Sequence, residues 1–151
     1  MEYEFASLNY HAIDVAKLII KKYNDNDTYI SNLILQKLLF FVQRNSLQNK
    51  KTKLFEENFE AWKFGPVVPN VYYNYCHYGS YPLELKSEEM LVSDPTIQTL
   101  IDSEFQRCFK KSPFELVSET HQPGSAWSVI VQNGQGLRKV IPVSLIYEKG
   151  S

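Results

Sequence analysis

The chain has 151 residues, a formal net charge of −1 and 22% charged residues, a length that fits one domain of about 150 residues and a composition too apolar for a disordered chain. Such a chain buries roughly 68–70% of its unfolded surface on folding and needs no disulfide or metal as a staple. The balanced charge argues against a general nucleic-acid binder, which needs a basic stripe. No run approaches 18 apolar residues, so no membrane span is expected.

In chain order, the acidic start Met1-Glu2-Tyr3-Glu4-Phe5 lacks a signal-peptide apolar core. Ala12, Val15, Ala16, Ile19 and Tyr23 recur at helical spacing and predict a first helix over about 9–23. The Asn/Asp run 24–27 is a loop. Ser31 is a good N-cap for a second helix reaching about residue 47. Its apolar residues cover most of its circumference, which predicts a helix in the middle of the core. Lys37 interrupts them, with a stem that can lie along apolar neighbours while the ammonium reaches a partner. The basic run 49–53 is read as a solvated loop. Residues 58–64 predict a strand ending at Gly65-Pro66. Pro69 then opens a third helix to about residue 78, with Gly79 as its cap.

Residues 80–93 read as a loop, with a short strand near Leu83-Glu84-Leu85. Asp94-Pro95 starts a helix whose stripe runs from Ile97 to Phe109 and closes on Lys110-Lys111. Ser112-Pro113-Phe114-Glu115 is a capping box opening the next helix, which carries Leu116, Val117 and Thr120. Gln122-Pro123-Gly124 breaks it, and a short helix follows over 125–131. Residues 133–136 form a turn, 137–141 a strand, and Pro142 opens a last helix to 148. The two strands can pair as a ribbon. The fold class is mainly α: a single compact domain, residues 1–151, of about six helices with a minor two-stranded β element.

The chemistry-bearing residues are sparse. Cys76 and Cys108 lie outside any CxxC spacing and, without a secretion signal, read as reduced thiols in a cytoplasmic protein. Cys76 and His77 are adjacent, so on a helix they point about 100° apart. His11, His77 and His121 lack the spacing of a helical zinc pair. His121 reads as a cap at the end of its helix, where an imidazole can donate to orphan carbonyls, with Trp127 packed nearby and its N–H used locally. No catalytic set, metal or cofactor is expected. What stands out is the aromatic surplus of 10 Tyr, 9 Phe and 2 Trp. Tyr72, Tyr73, Tyr75, Tyr78 and Tyr81 fall in one stretch, and tyrosine is enriched at protein interfaces.

An ordered set of motifs runs through nearly the whole chain, over about residues 10–148. Asp14-Val15-Ala16-Lys17 and Leu35-Gln36-Lys37-Leu38-Leu39-Phe40-Phe41 carry the helical part. The specific block is Phe59-Glu60-Ala61-Trp62-Lys63-Phe64-Gly65-Pro66-Val67-Val68-Pro69, followed by Val71-Tyr72. Thr120-His121, Trp127, Val140-Ile141 and Ile146-Tyr147 complete a set that resembles the Panacea domain, also called the SocA-like antitoxin domain, of prophages and bacterial toxin–antitoxin loci. The Asn/Asp-rich loop and residues 82–93 match no family motif.

The resemblance implies a non-enzymatic antitoxin that neutralises a cognate protein toxin by direct, chaperone-like binding, with no added DNA-binding segment. A proteolytic adaptor or phage-derived regulatory protein is the alternative, and a Cys/His-dependent hydrolase using Cys76 or His121 a second. Phe64, Tyr72, Tyr73 and Tyr75 are the expected toxin anchors. Lys37, Phe59, Glu60, Ala61, Trp62, Gly65, Pro66, Val67, Thr120, His121 and Trp127 form a family signature expected to be structural, with Trp62 in the core. The sequence leaves self-association open.

Overall fold

A computed structural model describes residues 3–85, 91 and 93–150. The elements follow as β1 (Ala6–Tyr10), α1 (Ala12–Asp25), α2 (Asn32–Lys50), β2 (Thr52–Phe55), β3 (Phe59–Trp62), β4 (Gly65–Val67), α3 (Pro69–Tyr75) with a 3-10 turn (Cys76–Tyr78), α4 (Pro95–Cys108), α5 (Pro113–Thr120), α6 (Ala126–Val131), β5 (Val140–Ile141) and α7 (Val143–Lys149). The mainly α expectation holds, but the helices among the described residues number seven and the strands five. Much of the 80–93 expectation lies outside the described residues; at its edge Leu83 forms no strand, and its N–H donates to the Ile30 carbonyl at 2.8 Å.

Four helix starts follow side-chain capping. Ser31 accepts from the Ile34 N–H, Asp94 from Ile97 and Ser125 from Ser128, and Ser112 with Glu115 closes a full capping box. Each cap pairs a helix N–H that has no carbonyl partner within the helix.

The 19-residue α2 is the centre of the molecule. It packs against α1, α3, α4, α5, α7, β2 and β4, because Leu35, Leu38, Leu39, Phe40, Phe41 and Val42 leave little polar surface on it. Its buried polar side chains act as clamps. The Gln43 amide accepts from the Leu54 N–H at 2.7 Å and donates to the Phe55 carbonyl at 3.0 Å, as a neighbouring strand would. Ser46 donates to the Thr52 carbonyl at 2.6 Å.

The β structure is richer than expected. β1 and β2 pair in parallel, with Ala6 opposite Thr52 and Tyr10 opposite Phe55. Residues 6–10, partly assigned to the first helix by periodicity, are therefore a strand; α1 begins only at Ala12, because Asn9 takes a left-handed φ of 58°. The run 49–53, read as a loop, instead contains the end of α2, a left-handed cap at Lys51 and the start of β2. The strand expected over 58–64 is one arm of a hairpin: β3 turns at Lys63-Phe64 and returns as β4, with Trp62 opposite Gly65. β5 pairs with β3 antiparallel, Phe59 opposite Ile141, so the expected ribbon forms, but with residues 140–141 alone of the expected 137–141, because the turn runs on to residue 138. No helix among the described residues is long and apolar enough to cross a membrane.

Candidate partner-binding site

The site is built from the hairpin outward. Behind β4 lies Lys37, projected from the buried face of α2 with 0% of its surface exposed. Its ammonium donates to the Pro66 carbonyl at 2.9 Å. Burial pushes its pKa down to about 7, since a charged ammonium loses its water there. Gly65 makes this approach possible. A Cβ on it would stand 2.8 Å from Lys37 Cε and 2.7 Å from Thr120 Oγ1, and its φ of +112° disfavours any side chain. The Thr120 hydroxyl is turned to its own helix and donates to the Val117 carbonyl.

A second clamp sets the connection into α3. Gln36 accepts from the Val68 N–H at 3.0 Å and donates to Asn32, whose own amide donates to the Tyr72 carbonyl at 3.0 Å. The polar positions 32, 36 and 37 of α2 thus hold β4 and α3 from behind.

In front lies Trp62, half-buried rather than in the core as expected. The Tyr72 ring meets it edge-on at 4.9 Å, and Tyr73 meets Tyr72 at 5.5 Å. The Arg138 guanidinium lies 3.8 Å from the Trp62 ring centroid, and Glu60 accepts from the indole N–H at 2.9 Å. The Trp62 carbonyl accepts from Trp127 Nε1 at 2.7 Å, so the Trp127 N–H is used across 65 residues rather than locally. His121 does sit at the cap of α5, but its ring stacks on Trp127, with centroids 3.6 Å apart and planes 11° from parallel. Stacking removes it from the helix carbonyls and leaves Nε2 without a hydrogen-bond partner among the described residues. Burial, and then the Lys37 charge, push the His121 pKa below the ordinary imidazole value.

Between Trp62, Phe64, Tyr72, Leu137 and Arg138 opens a pocket of about 390 Å³, with Asn32 and Gln36 also lining it. Phe64 and Tyr73 stand 54% and 59% exposed beside it. Tyr75 does not share this surface: only 6% exposed, it is packed into the core by the helical turn that points Tyr72 outward. Phe59, Ala61 and Val67 are buried, and Pro66 is buried with them.

Of the expected residues, then, Lys37, Gly65, Pro66 and Thr120 converge behind the hairpin, and Trp62, Phe64, Tyr72 and Tyr73 in front, with His121 and Trp127 at the side. Sequence reasoning missed Leu137, Arg138 and the Asn32–Gln36 pair. The i, i+4 spacing of two amides on an apolar helix was the available signal for the pair; Arg138 follows a glycine turn that carries no such signal.

The thiols are separate from this constellation's chemistry. Cys108 is buried, and burial pushes its thiol up to about 11, which disfavours the nucleophilic thiolate. Cys76 is exposed at the pocket's edge, its thiol donating to the Tyr73 carbonyl. Among the described residues no group of three or more His, Cys, Asp or Glu could hold a metal ion.

The family model described as "Antitoxin SocA-like, Panacea domain" matches residues 35–128, a span containing Lys37, the hairpin, Thr120-His121 and Trp127. The chain is also 37% identical over 133 residues to Antitoxin SocA of Caulobacter vibrioides (strain NA1000 / CB15N), an alignment covering 81% of this chain and 70% of that protein. No solved structure matches the chain.

Proposed function

Because the chain belongs to the antitoxin SocA-like, Panacea domain family, we propose that it neutralises a protein toxin by direct binding, through the face made by Phe64, Trp62, Tyr72 and Tyr73. It does so without catalysis, in the bacterial cytoplasm. The observation that carries this reading is the exposed Phe64 and Tyr73 beside a preformed aromatic pocket. Exposed aromatics on a rigid scaffold lose little entropy on docking and are frequent hot spots. The scaffold here is fastened by three hydrogen bonds, from Lys37 and Gln36 behind the hairpin and from Trp127.

The test is co-expression with the product of the neighbouring gene. The wild type relieves growth arrest and co-elutes with that product on gel filtration. Phe64→Ala/Tyr73→Ala keeps its circular dichroism spectrum but loses about tenfold or more in affinity. Undiminished growth arrest with no complex sinks the reading. Relief accompanied by accelerated loss of the toxin from cells assigns the adaptor role in its place.

A further inference from the structure

We infer that the pocket takes one large apolar side chain from an acidic segment of the partner protein, whose flanking carboxylates pair with Lys63 and Arg138. This rests on the antitoxin reading and adds the chemistry of what docks.

Both cations stand at the pocket, and neither makes an ion pair among the described residues. Each instead lies by an aromatic ring: Lys63 Nζ 5.4 Å from the Phe64 centroid and Arg138 3.8 Å from the Trp62 centroid. A cation held against a ring keeps much of its charge available to an incoming anion. The two side-chain amides of the pocket are already engaged. Gln36 and Asn32 bond to each other, to the Val68 N–H and to the Tyr72 carbonyl. Glu60, on the same strand as Trp62, is held by the indole N–H. What remains for a ligand is an apolar cavity of about 390 Å³ with two unpaired positive charges, which complements an apolar residue among carboxylates. Aromatic rings with cations could also stack a single-stranded nucleic acid. The concave, mostly apolar cavity and the net charge of −1 favour the peptide, because a nucleic-acid track needs a continuous basic groove.

Arg138 is also placed with care. Its N–H donates to the Ala61 carbonyl at 2.7 Å, next to Trp62 in the chain, and the preceding turn closes with Gly136 N–H on the Val131 carbonyl. A Cβ on Gly136 would collide with the Ile130 carbonyl oxygen at 1.6 Å, so only glycine lets the turn fold tightly enough to deliver Leu137 and Arg138 to the pocket.

Random-peptide display on the immobilised full chain tests this, followed by fluorescence anisotropy with the labelled peptides recovered. The expected peptides carry one Trp, Phe or Leu with Asp or Glu close on either side. Their affinity falls about tenfold in Phe64→Ala and in Arg138→Glu. It also falls severalfold between about 50 and about 500 mM NaCl, the range over which exposed charges become screened. Arg138→Gln gives an intermediate loss and guards against a folding artefact of charge reversal. Recovery of no peptides, or of basic or uncharged ones, overturns the inference, as does equal affinity of wild type and Arg138→Glu. Tighter binding of a polyuridine strand overturns it in favour of nucleic acid. A dimer of the chain that Phe64→Ala dissociates does so in favour of self-association. If Arg138→Glu and Lys63→Glu still relieve growth arrest as the wild type does, this inference fails while the antitoxin reading stands. If the wild type gives no relief, the antitoxin reading fails and the peptide data decide on the pocket alone.

Discussion

A buried ammonium whose hydrogen bond goes to one carbonyl carries its full cost below its folded pKa, and that cost vanishes only above the unfolded one. Lys37 is at about 7 in the folded protein and near 10.4 in an unfolded chain. The unfolded state therefore holds more protons between those values, and stability rises with pH across that window. From pH 7 to about 8.5 the wild type is expected to gain about 1 kcal/mol per pH unit relative to Lys37→Met, read from urea midpoints at each pH. Parallel profiles for the two proteins would refute it. Gly65→Ala has no such pH signature. It meets Lys37 and Thr120 at under 3 Å with a strained φ, and a loss of about 2–5 kcal/mol is expected by thermal or urea unfolding. Lys37 was legible in the sequence as a cation in an apolar helix, and Gly65 as a turn. Their contact was not, because it joins residues from α2 and β4 that only the tertiary fold brings together.

Among the elements, the helices were legible and three strands, β1, β2 and β4, were not. α4 and α5 begin where Asp94 and Ser112 cap them, chemistry that is local in sequence. β1 and β2 have no such mark: their alternation is short, and each depends on partners far along the chain. β2 also depends on Gln43, an amide that reads as an ordinary polar residue until it is seen pairing with Leu54 and Phe55. Gln43→Leu keeps the volume but leaves those buried backbone groups unpaired, so a loss of about 2–4 kcal/mol is expected. Hydrogen exchange at the Leu54 amide should accelerate as well; an unchanged rate would show that Gln43 is dispensable. On the far side of α2, Glu119 of α5 joins Arg44 and Arg107, at 3.4 and 2.6 Å. Burial alone would raise its carboxyl pKa, but the Arg107 hydrogen bond and both guanidinium charges outweigh that and hold it below the ordinary value. This ion cluster ties three helices and leaves no periodic trace in the sequence.

For the whole molecule, the central place of α2 was legible from its all-round apolar surface, and it has a thermodynamic consequence. Helices from both halves of the chain pack on it, so removing any of them uncovers the same core, and we expect residues 3–150 to unfold as one cooperative unit. Both tryptophans of the chain, Trp62 and Trp127, sit at the candidate site. Tryptophan fluorescence, excited apart from the ten tyrosines, therefore reports that site alone, while far-ultraviolet dichroism reports the helices. Coincident denaturation midpoints are expected; a fluorescence transition at lower urea would show that the hairpin and its clamps open first. The aromatic surplus divides along the same line: Phe40, Phe41, Phe55 and Phe59 fill the core around α2, whereas Phe64 and Tyr73 stand outside it.

The distance along the chain between the hairpin and its clamps also sets a clock. Trp62 leaves the ribosome well before Trp127 and Arg138, the residues that bond its carbonyl and cover its ring. At about 5–20 residues per second, the interval is roughly 4–15 s. During that time the aromatic strand is exposed without its final shape, and a nascent chain is no use to a cell in which the toxin is already free. Under the proposed toxin-binding role, protection comes from copies finished beforehand, which favours translating this protein ahead of, or in excess over, its proposed partner.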